Sequence, residues 1–383
     1  MPKNNYISRY YGDLNAYCQP NKVLIIFGPR QVGKTTLIKH FLSTATFKYK
    51  LDSGDDIALQ MSLSQANFKV LKEYVSGYEL IVIDEAQKIP NIGLSLKIMV
   101  DQNPGLRIIA TGSSSFDLAG QVGEPLTGRK KTLTLFPITQ LELSKQLNPF
   151  ELKQHLSDYL IYGTYPEVIA ADTQKEKQAY ITEIAHSYLL KDILELEKIK
   201  NSLTLLDLLR LLAFQVGHEV SHHEIAQNLK VDTKTVARYL DLLEKSFVIY
   251  NLRGFSRNLR KEITKKSKYY FYDLGISNAL IANFNALNLR DDIGRLWENF
   301  LFIERMKKQS YQQTNVNYYF WRTWDKKEID LIEEREGRLF AYEFKWRNEK
   351  AKIPKEWLQT YDNASYEIIN KENYLDFLTT EAP

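Results

Sequence analysis

The chain has 383 residues, 44% hydrophobic and 26% charged, a globular balance that excludes a wholly disordered, collagen-like or disulfide-scaffold protein. Its net charge of +4 is too mild to imply a polyanionic partner for the whole molecule, so a basic patch has to be local. The single cysteine, Cys18, excludes an internal disulfide or a cysteine-built zinc site and fits a reducing cytoplasm, and no apolar run is long enough to span a membrane. The first twelve residues are polar and predict no secretory signal.

At roughly 150 residues per domain, this length allows two to three domains. Short apolar runs at 23–27, 47–51, 80–83, 107–111 and 132–136 alternate with helical patterns. That alternation predicts an α/β domain with a parallel sheet over residues 1–140. Residues 141–215 carry Leu, Ile and Tyr at helical spacing and predict a helical lid or linker. Residues 216–285 read as a winged helix-turn-helix. Residues 286–383 read as an amphipathic helix, three aromatic-rich strands and a further helix.

Gly28-Pro29-Arg30-Gln31-Val32-Gly33-Lys34-Thr35 matches G-x-x-x-x-G-K-[ST], with a strand-like run before it and a helix-compatible run after it. Glycines let such a loop turn its backbone N–H groups inward, and the following helix start adds partial positive charge. The expected nucleotide contacts are Gly28, Pro29, Arg30, Gln31, Val32, Gly33, Lys34, Thr35 and Thr36. Lys34 reaches the β- and γ-phosphates, and Thr35 holds Mg²⁺. Leu80-Ile81-Val82-Ile83-Asp84-Glu85 is a buried strand with two carboxylates at its C-terminal end, where open α/β sheets bind ligands. Asp84 is the expected second Mg²⁺ group, and Glu85 the residue that orients or deprotonates the attacking water. This pair favours ATP hydrolysis over a kinase or GTPase role. The run 107–111 predicts a neighbouring buried strand that brings Thr111 or Ser113 near the γ-phosphate. Arg129 is a candidate phosphate contact, within this subunit or in a neighbouring one.

The strings GPRQVGKTT, IVIDEAQKIP, IIATGSSS and LTGRKKTLTLFPITQLEL resemble the AAA-type ATP-binding proteins of bacteria and archaea. These pair an ATPase module with a C-terminal domain of unknown function. The resemblance continues through Tyr162-Gly163-Thr164-Tyr165-Pro166-Glu167, similar to the family's Gly-x-x-Pro-Glu segment, and through the final third. It implies a P-loop core of AAA type, ATP as ligand and a nuclease-like C-terminal domain.

Ser221-His222-His223-Glu224 fits a capping box opening a short helix, and Asp232 or Thr233 caps a second helix from 234 to about 245. Val236, Leu240 and Leu243 form its core stripe, while Lys234, Thr235, Arg238 and Tyr239 are the expected DNA-facing residues. The strand-like runs 247–252 and 269–273 predict the wing. Between them Arg253, Arg257, Arg260, Lys261, Lys265, Lys266 and Lys268 face one acid, Glu262, a local charge of +6 suited to a phosphate backbone. Packing without nucleic acid is the other reading of this segment. His218, His222 and His223 read as surface histidines rather than metal ligands.

In the last domain Asp330 and, thirteen residues on, Glu343-Phe344-Lys345 resemble the D…E-x-K signature of the PD-(D/E)XK nucleases. Strand periodicity puts Glu343 and Lys345 on one face, and a hairpin around Glu336-Gly337 lets Asp330 join them. Ile329, Leu331, Tyr342 and Phe344 then form the opposite, apolar face. Asp330, Glu343 and the helical acid Glu298 are the expected Mg²⁺ ligands, and Lys345 orients water or stabilises developing charge. The other readings are an inactive binding module, or acids paired with Lys326, Lys327 and Lys345.

The sequence thus predicts a P-loop parallel sheet, a helical segment with a winged helix, and a C-terminal α/β domain resembling restriction endonucleases. It predicts ATP hydrolysis coupled to nucleic-acid binding, DNA favoured, or to metal-dependent cleavage. The alternative is a nucleotide-dependent switch or scaffold with a catalytically inactive nuclease-like domain that binds DNA or a protein partner; a homo-oligomer or a protein partner is compatible with either reading.

Overall fold

The computed structural model describes residues 6–113, 125–188, 202–255, 267–323, 327–348, 354, 357, 361 and 363–380. Ser114, Arg257, Arg260, Lys261, Glu262, Lys265, Lys266 and Lys326 lie outside the described residues.

The first sheet contains β1 (Lys22–Phe27), β2 (Tyr49–Ser53), β3 (Leu80–Asp84), β4 (Arg107–Thr111) and β5 (Lys130–Thr134). They lie in the order β2-β3-β4-β1-β5, and every pairing is parallel. The central strands are apolar on both faces because helices cover both sides. Leu24, Ile26, Leu80 and Val82 join one core, and Val23, Ile25, Ile81 and Ile83 the other. Helix α1 (Lys34–Thr44) follows β1, and α2 (Ile92–Gln102) packs across the second face with Ile92, Leu96 and Met99 buried. Because β4 separates β1 from β3, the loops after all three meet at one edge of the sheet.

Residues 140–183 carry a series of short helices joined by loops, beginning with α3 (Gln140–Leu143), whose Thr139 and Glu142 form a capping box. Helix α4 (Ser202–Phe214) follows. The helix-turn-helix pair is α5 (His222–Leu229) and α6 (Thr233–Lys245), with Asp232 capping α6. Ser221 occupies the N-cap of α5, but its hydroxyl makes no cap hydrogen bond, so the expected box is not closed. Tyr239 is buried rather than facing outward. It lies three residues after Val236 and four before Leu243, on the same helical stripe.

The second sheet has seven strands: β6 (Glu219–Val220), β7 (Ile249–Gly254), β8 (Ser267–Phe271), β9 (Asn317–Arg322), β10 (Glu328–Arg335), β11 (Arg338–Phe344) and β12 (Ala364–Ile369). Their order is β12-β11-β10-β9-β7-β8-β6. The expected wing, β7 and β8, is therefore not a free hairpin. Parallel pairing of Arg253 with Tyr319 and of Gly254 with Phe320 continues it into the C-terminal strands, across the boundary expected near residue 285. An unpaired edge on β7 is thereby removed. Strand β12, parallel to β11, is a fourth C-terminal strand where three were expected. Helices α7 (Leu274–Leu280), α8 (Ile293–Tyr311) and α9 (Tyr374–Thr379) complete this half, and α8 buries Trp297, Phe300, Leu301 and Phe302. No described helix is long and apolar enough to cross a membrane.

Gly163 shows why the Tyr162–Glu167 segment has its composition. Its φ is +78°, and a Cβ there would sit 1.9 Å from Asp273 Oδ1. Asp273 is buried, caps α7 and accepts the N–H of Thr164 at 2.7 Å. Burial pushes its carboxyl up, with Lys307 and three backbone N–H groups opposing that shift. The segment is a joint between the helical region and the second sheet.

Candidate functional site

The loop after β1 has the strain of a phosphate loop. Gly28 has φ +148°, and a Cβ on it would lie 2.0 Å from the carbonyl oxygen of Leu135; Gln31 and Gly33 also have positive φ. Pro29 and Val32 are buried, Arg30 and Gln31 half-buried, and Thr35 and Thr36 exposed in the first turn of α1. Lys34 is buried, and its ammonium donates to the carbonyls of Gly28 and Pro29 at 2.8 Å each. Beneath the loop, Thr35 Oγ1 donates to Asp84 Oδ2 at 2.7 Å. Thr111 donates its hydroxyl to the other oxygen of Asp84 and accepts the N–H of Glu85 at 3.1 Å. Glu85 has a left-handed backbone, φ +51°, and its carboxylate accepts from Gln87 Nε2 at 2.5 Å. Gln87 also reaches Ser113 Oγ at 3.5 Å, so Thr111 and Ser113 both stand at this edge.

Arg129 is not brought to the loop. The pairing of Val23 with Lys130 places it at the opposite, N-terminal edge of the sheet, roughly 16 Å of strand from the loop, where it binds Asp101 at 2.5 Å. The expectation of a phosphate contact within this subunit fails, because the parallel register puts β5's start beside β1's start.

The C-terminal acids gather where the two halves of the second sheet meet. Asp330 lies one step beyond the Leu331–Tyr342 pair, opposite Glu343, on the hairpin whose turn Glu336 and Gly337 make with positive φ. A bulge in β10 between Ile329 and Ile332 surrounds Asp330. It also separates Ile329 from Leu331, which enter different cores instead of sharing one apolar face. Asp330 Oδ2 accepts the N–H of Phe344 at 2.8 Å, and Lys345 Nζ donates to Glu343 Oε1 at 2.6 Å. Glu298 Oε1, on α8, accepts from Tyr270 at 2.5 Å and from Lys268 at 2.9 Å. Burial, with Glu298 and Glu343 nearby, pushes the Asp330 carboxyl far above the usual range. Burial also raises Glu343, against the pull of Lys345.

These residues do not fit the expected Mg²⁺ site. Among the described residues, no group of three or more His, Cys, Asp or Glu is placed to hold a metal ion. The reason is local: the ammonium of Lys268, 2.9 Å from Glu298 Oε1 and 2.5 Å from Glu328 Oε1, already brings a positive charge to these acids. Lys268, expected on the DNA-facing loop, is buried here instead. His218 and His222 are bonded to Arg295 and Tyr269, and burial lowers both. Cys18 is buried, and burial raises its thiol to about 11, which leaves it a packing residue.

Residues 20–144 match the family model of the AAA domain. The N-terminal domain is of AAA type. Residues 153–288 and 293–377 match models of two domains of unknown function. An uncharacterized protein of Mycobacterium tuberculosis is 28% identical over 328 residues, spanning 84% of this chain and 70% of that one. Another, of Methanocaldococcus jannaschii, is 24% identical over 364 residues, spanning 89% of this chain and 79% of its own. Among solved structures, a signal-transduction ATPase with numerous domains and a tetratricopeptide repeat sensor, from Pyrococcus horikoshii, is 14% identical with a TM-score of 0.23. The alignment spans 80% of this chain but only 46% of that one, and the score is too low to carry a structural argument.

Arg9 was not singled out from the sequence, yet it braces the AAA domain's loop. Its buried guanidinium donates to Val32 O at 2.5 Å, Phe136 O at 2.6 Å, Glu142 Oε1 at 2.8 Å and Tyr311 Oη at 3.3 Å. In a trans peptide the C=O and the next N–H point opposite ways, so gripping Val32 O turns the Gly33 N–H away from Arg9. Tyr311 ends α8 and stacks on Tyr10 at 5.0 Å. No sequence motif signals a link between residues so far apart. The only hint is a lone Arg among apolar and aromatic neighbours.

Proposed function

We propose that this chain is a nucleotide-driven switch in which the AAA domain binds and hydrolyses ATP and passes its state to the C-terminal half. The observation carrying this reading is the chain Thr35–Asp84–Thr111–Glu85 beneath a strained glycine loop. Backbone N–H groups of residues 28–33, with Lys34, Thr35 and Thr36, hold the phosphates. Lys34 donates to the loop carbonyls of Gly28 and Pro29, which it exchanges for phosphate oxygens when nucleotide binds. The hydroxyl of Thr35 and the carboxylate of Asp84, 2.7 Å apart, suit Mg²⁺, whose chemistry is to neutralise phosphate charge. Glu85, once released by Gln87, orients the attacking water and takes its proton. The Arg9 bridge from Val32 to Tyr311 supports α8 as the element that receives the signal.

Lys34→Ala should abolish nucleotide binding. Glu85→Gln should still bind ATP yet hydrolyse it about 100-fold slower or more, the usual cost of losing a general base. Wild-type turnover in Glu85→Gln would overturn the assignment. Nucleic acid is the partner favoured by the +5 charge of residues 253–267, the buried Lys268 excluded, and by exposed Lys234 and Arg238. Its test is DNA affinity across a salt series in the presence of ATP and of ADP. A salt-independent or absent interaction would leave a protein partner or a second copy of the chain.

A further inference from the structure

The acid cluster between the two halves of the second sheet holds one group that the nuclease resemblance does not provide. Lys268 comes from β8, outside the C-terminal module, and its side chain is 3% exposed. Its ammonium lies 2.9 Å from Glu298 Oε1 and 2.5 Å from Glu328 Oε1. Asp330 is near enough to raise its basicity further. Tyr270, two residues on and on the same face of β8, adds its hydroxyl to Glu298. Glycine at 217 leaves the room: a Cβ there would approach Glu298 Oε2 to 3.3 Å. The second oxygen of Glu343 is buried without a hydrogen bond. A set of carboxylates this enclosed needs a positive charge within it. The protein supplies that charge from its own chain.

We infer that Lys268 is the resident counter-ion of this cluster, standing in for a divalent cation, so that the wild-type acids take no metal and instead fasten β8 to the C-terminal module. The inference is independent of the ATPase reading, because it concerns only residues of the second sheet and α8. Lysine suits the role because a compact ammonium can face several carboxylates at once. With the ammonium gone, the carboxylates that it separates are free to close on a cation.

The test is Mn²⁺ binding to the full chain without nucleotide, followed by electron paramagnetic resonance, with thermal melts as the fold control. Wild type and Asp330→Asn should bind Mn²⁺ identically, since the cluster contributes nothing to either. Lys268→Gln should gain one equivalent at least tenfold tighter than any wild-type site, lose it again in the Lys268→Gln, Asp330→Asn double variant, and melt higher with Mn²⁺ than without. Lys268→Arg, which keeps the charge, should gain none. Wild type holding an equivalent of Mn²⁺ that Asp330→Asn removes would overturn the inference, and that comparison stands even where Lys268→Gln does not fold. A folded Lys268→Gln that gains no Mn²⁺ would overturn it equally.

Discussion

Replacing Arg9 by alanine tests the brace under the nucleotide loop most directly. The guanidinium makes four hydrogen bonds, one of them within an ion pair whose side chains are 4% and 0% exposed. Removing one partner of a buried pair costs about 3–5 kcal/mol, because the other charge stays buried. Glu142 keeps the N–H of Tyr10 at 2.8 Å and both donors of Thr139, which favours the lower end. At roughly 2–4 °C per kcal/mol for a unit of 150–250 residues, Arg9→Ala should lower the melting temperature by about 6–20 °C. Arg9→Lys, one ammonium facing four acceptors, should fall between the two. Arg9→Met with Glu142→Gln should recover part of the loss, since no charge is then stranded. The functional half is read by titrating a fluorescent ATP analogue at a temperature where the variant is folded. Freed from Arg9, the Val32–Gly33 peptide can rotate, and affinity should fall about tenfold, or about 1.4 kcal/mol. A variant melting within 2 °C of wild type, or binding nucleotide as tightly, would refute the brace (about 2 °C being the smallest shift expected per kcal/mol).

Gly163→Ala should be among the most damaging single-methyl changes, because the new carbon meets Asp273 at 1.9 Å on a backbone at φ +78°. A loss of at least ~3 kcal/mol by chemical denaturation is expected, and a loss below ~1 kcal/mol would mean that the joint gives way freely. Asp330 provides a pH test. Its raised carboxyl keeps a proton in the folded chain at pH values where the unfolded chain has lost it. Stability therefore falls as pH rises from the ordinary carboxylate range through the raised folded value. Asp330→Asn should flatten that decline in melting temperature, and parallel profiles for the two proteins would contradict it.

The phosphate loop and the strand ending in Asp84 were legible because their chemistry is local. A loop must turn on glycine, and a doubly covered strand must be apolar throughout, so a few adjacent residues declare both. Strand ends at Phe27, Asp84 and Thr111 lie at or next to the ends of their apolar runs. The misreadings share the opposite property. Arg129 stands beside a plausible string, but the register of β5 against β1 decides which edge it occupies. Lys268 looked like one more charge in a basic stretch, because nothing nearby reveals Glu298 and Glu328. Ile329 alternates correctly with Leu331, yet a single extra residue in β10 sends them to different cores. Tyr239 is different: its spacing from Val236 and Leu243 already placed it inside, and its hydroxyl drew the outward assignment.

The bond between Arg9 and Tyr311 joins residues 302 positions apart, and it has a consequence during synthesis. The five strands of the first sheet have all left the ribosome once residue 134 emerges. Tyr311, which also accepts the N–H of Phe136, and Glu304, which accepts that of Gln140, come much later. At about 5–20 residues per second, the interval between Arg9 and Tyr311 is about 15–60 s. Until then the N–H groups of Phe136 and Gln140, and one N–H of the Arg9 guanidinium, lack their final acceptors. The newborn chain acquires a fully braced nucleotide loop only after residue 311 has emerged, so any fragment ending before α8 carries the motif without its support.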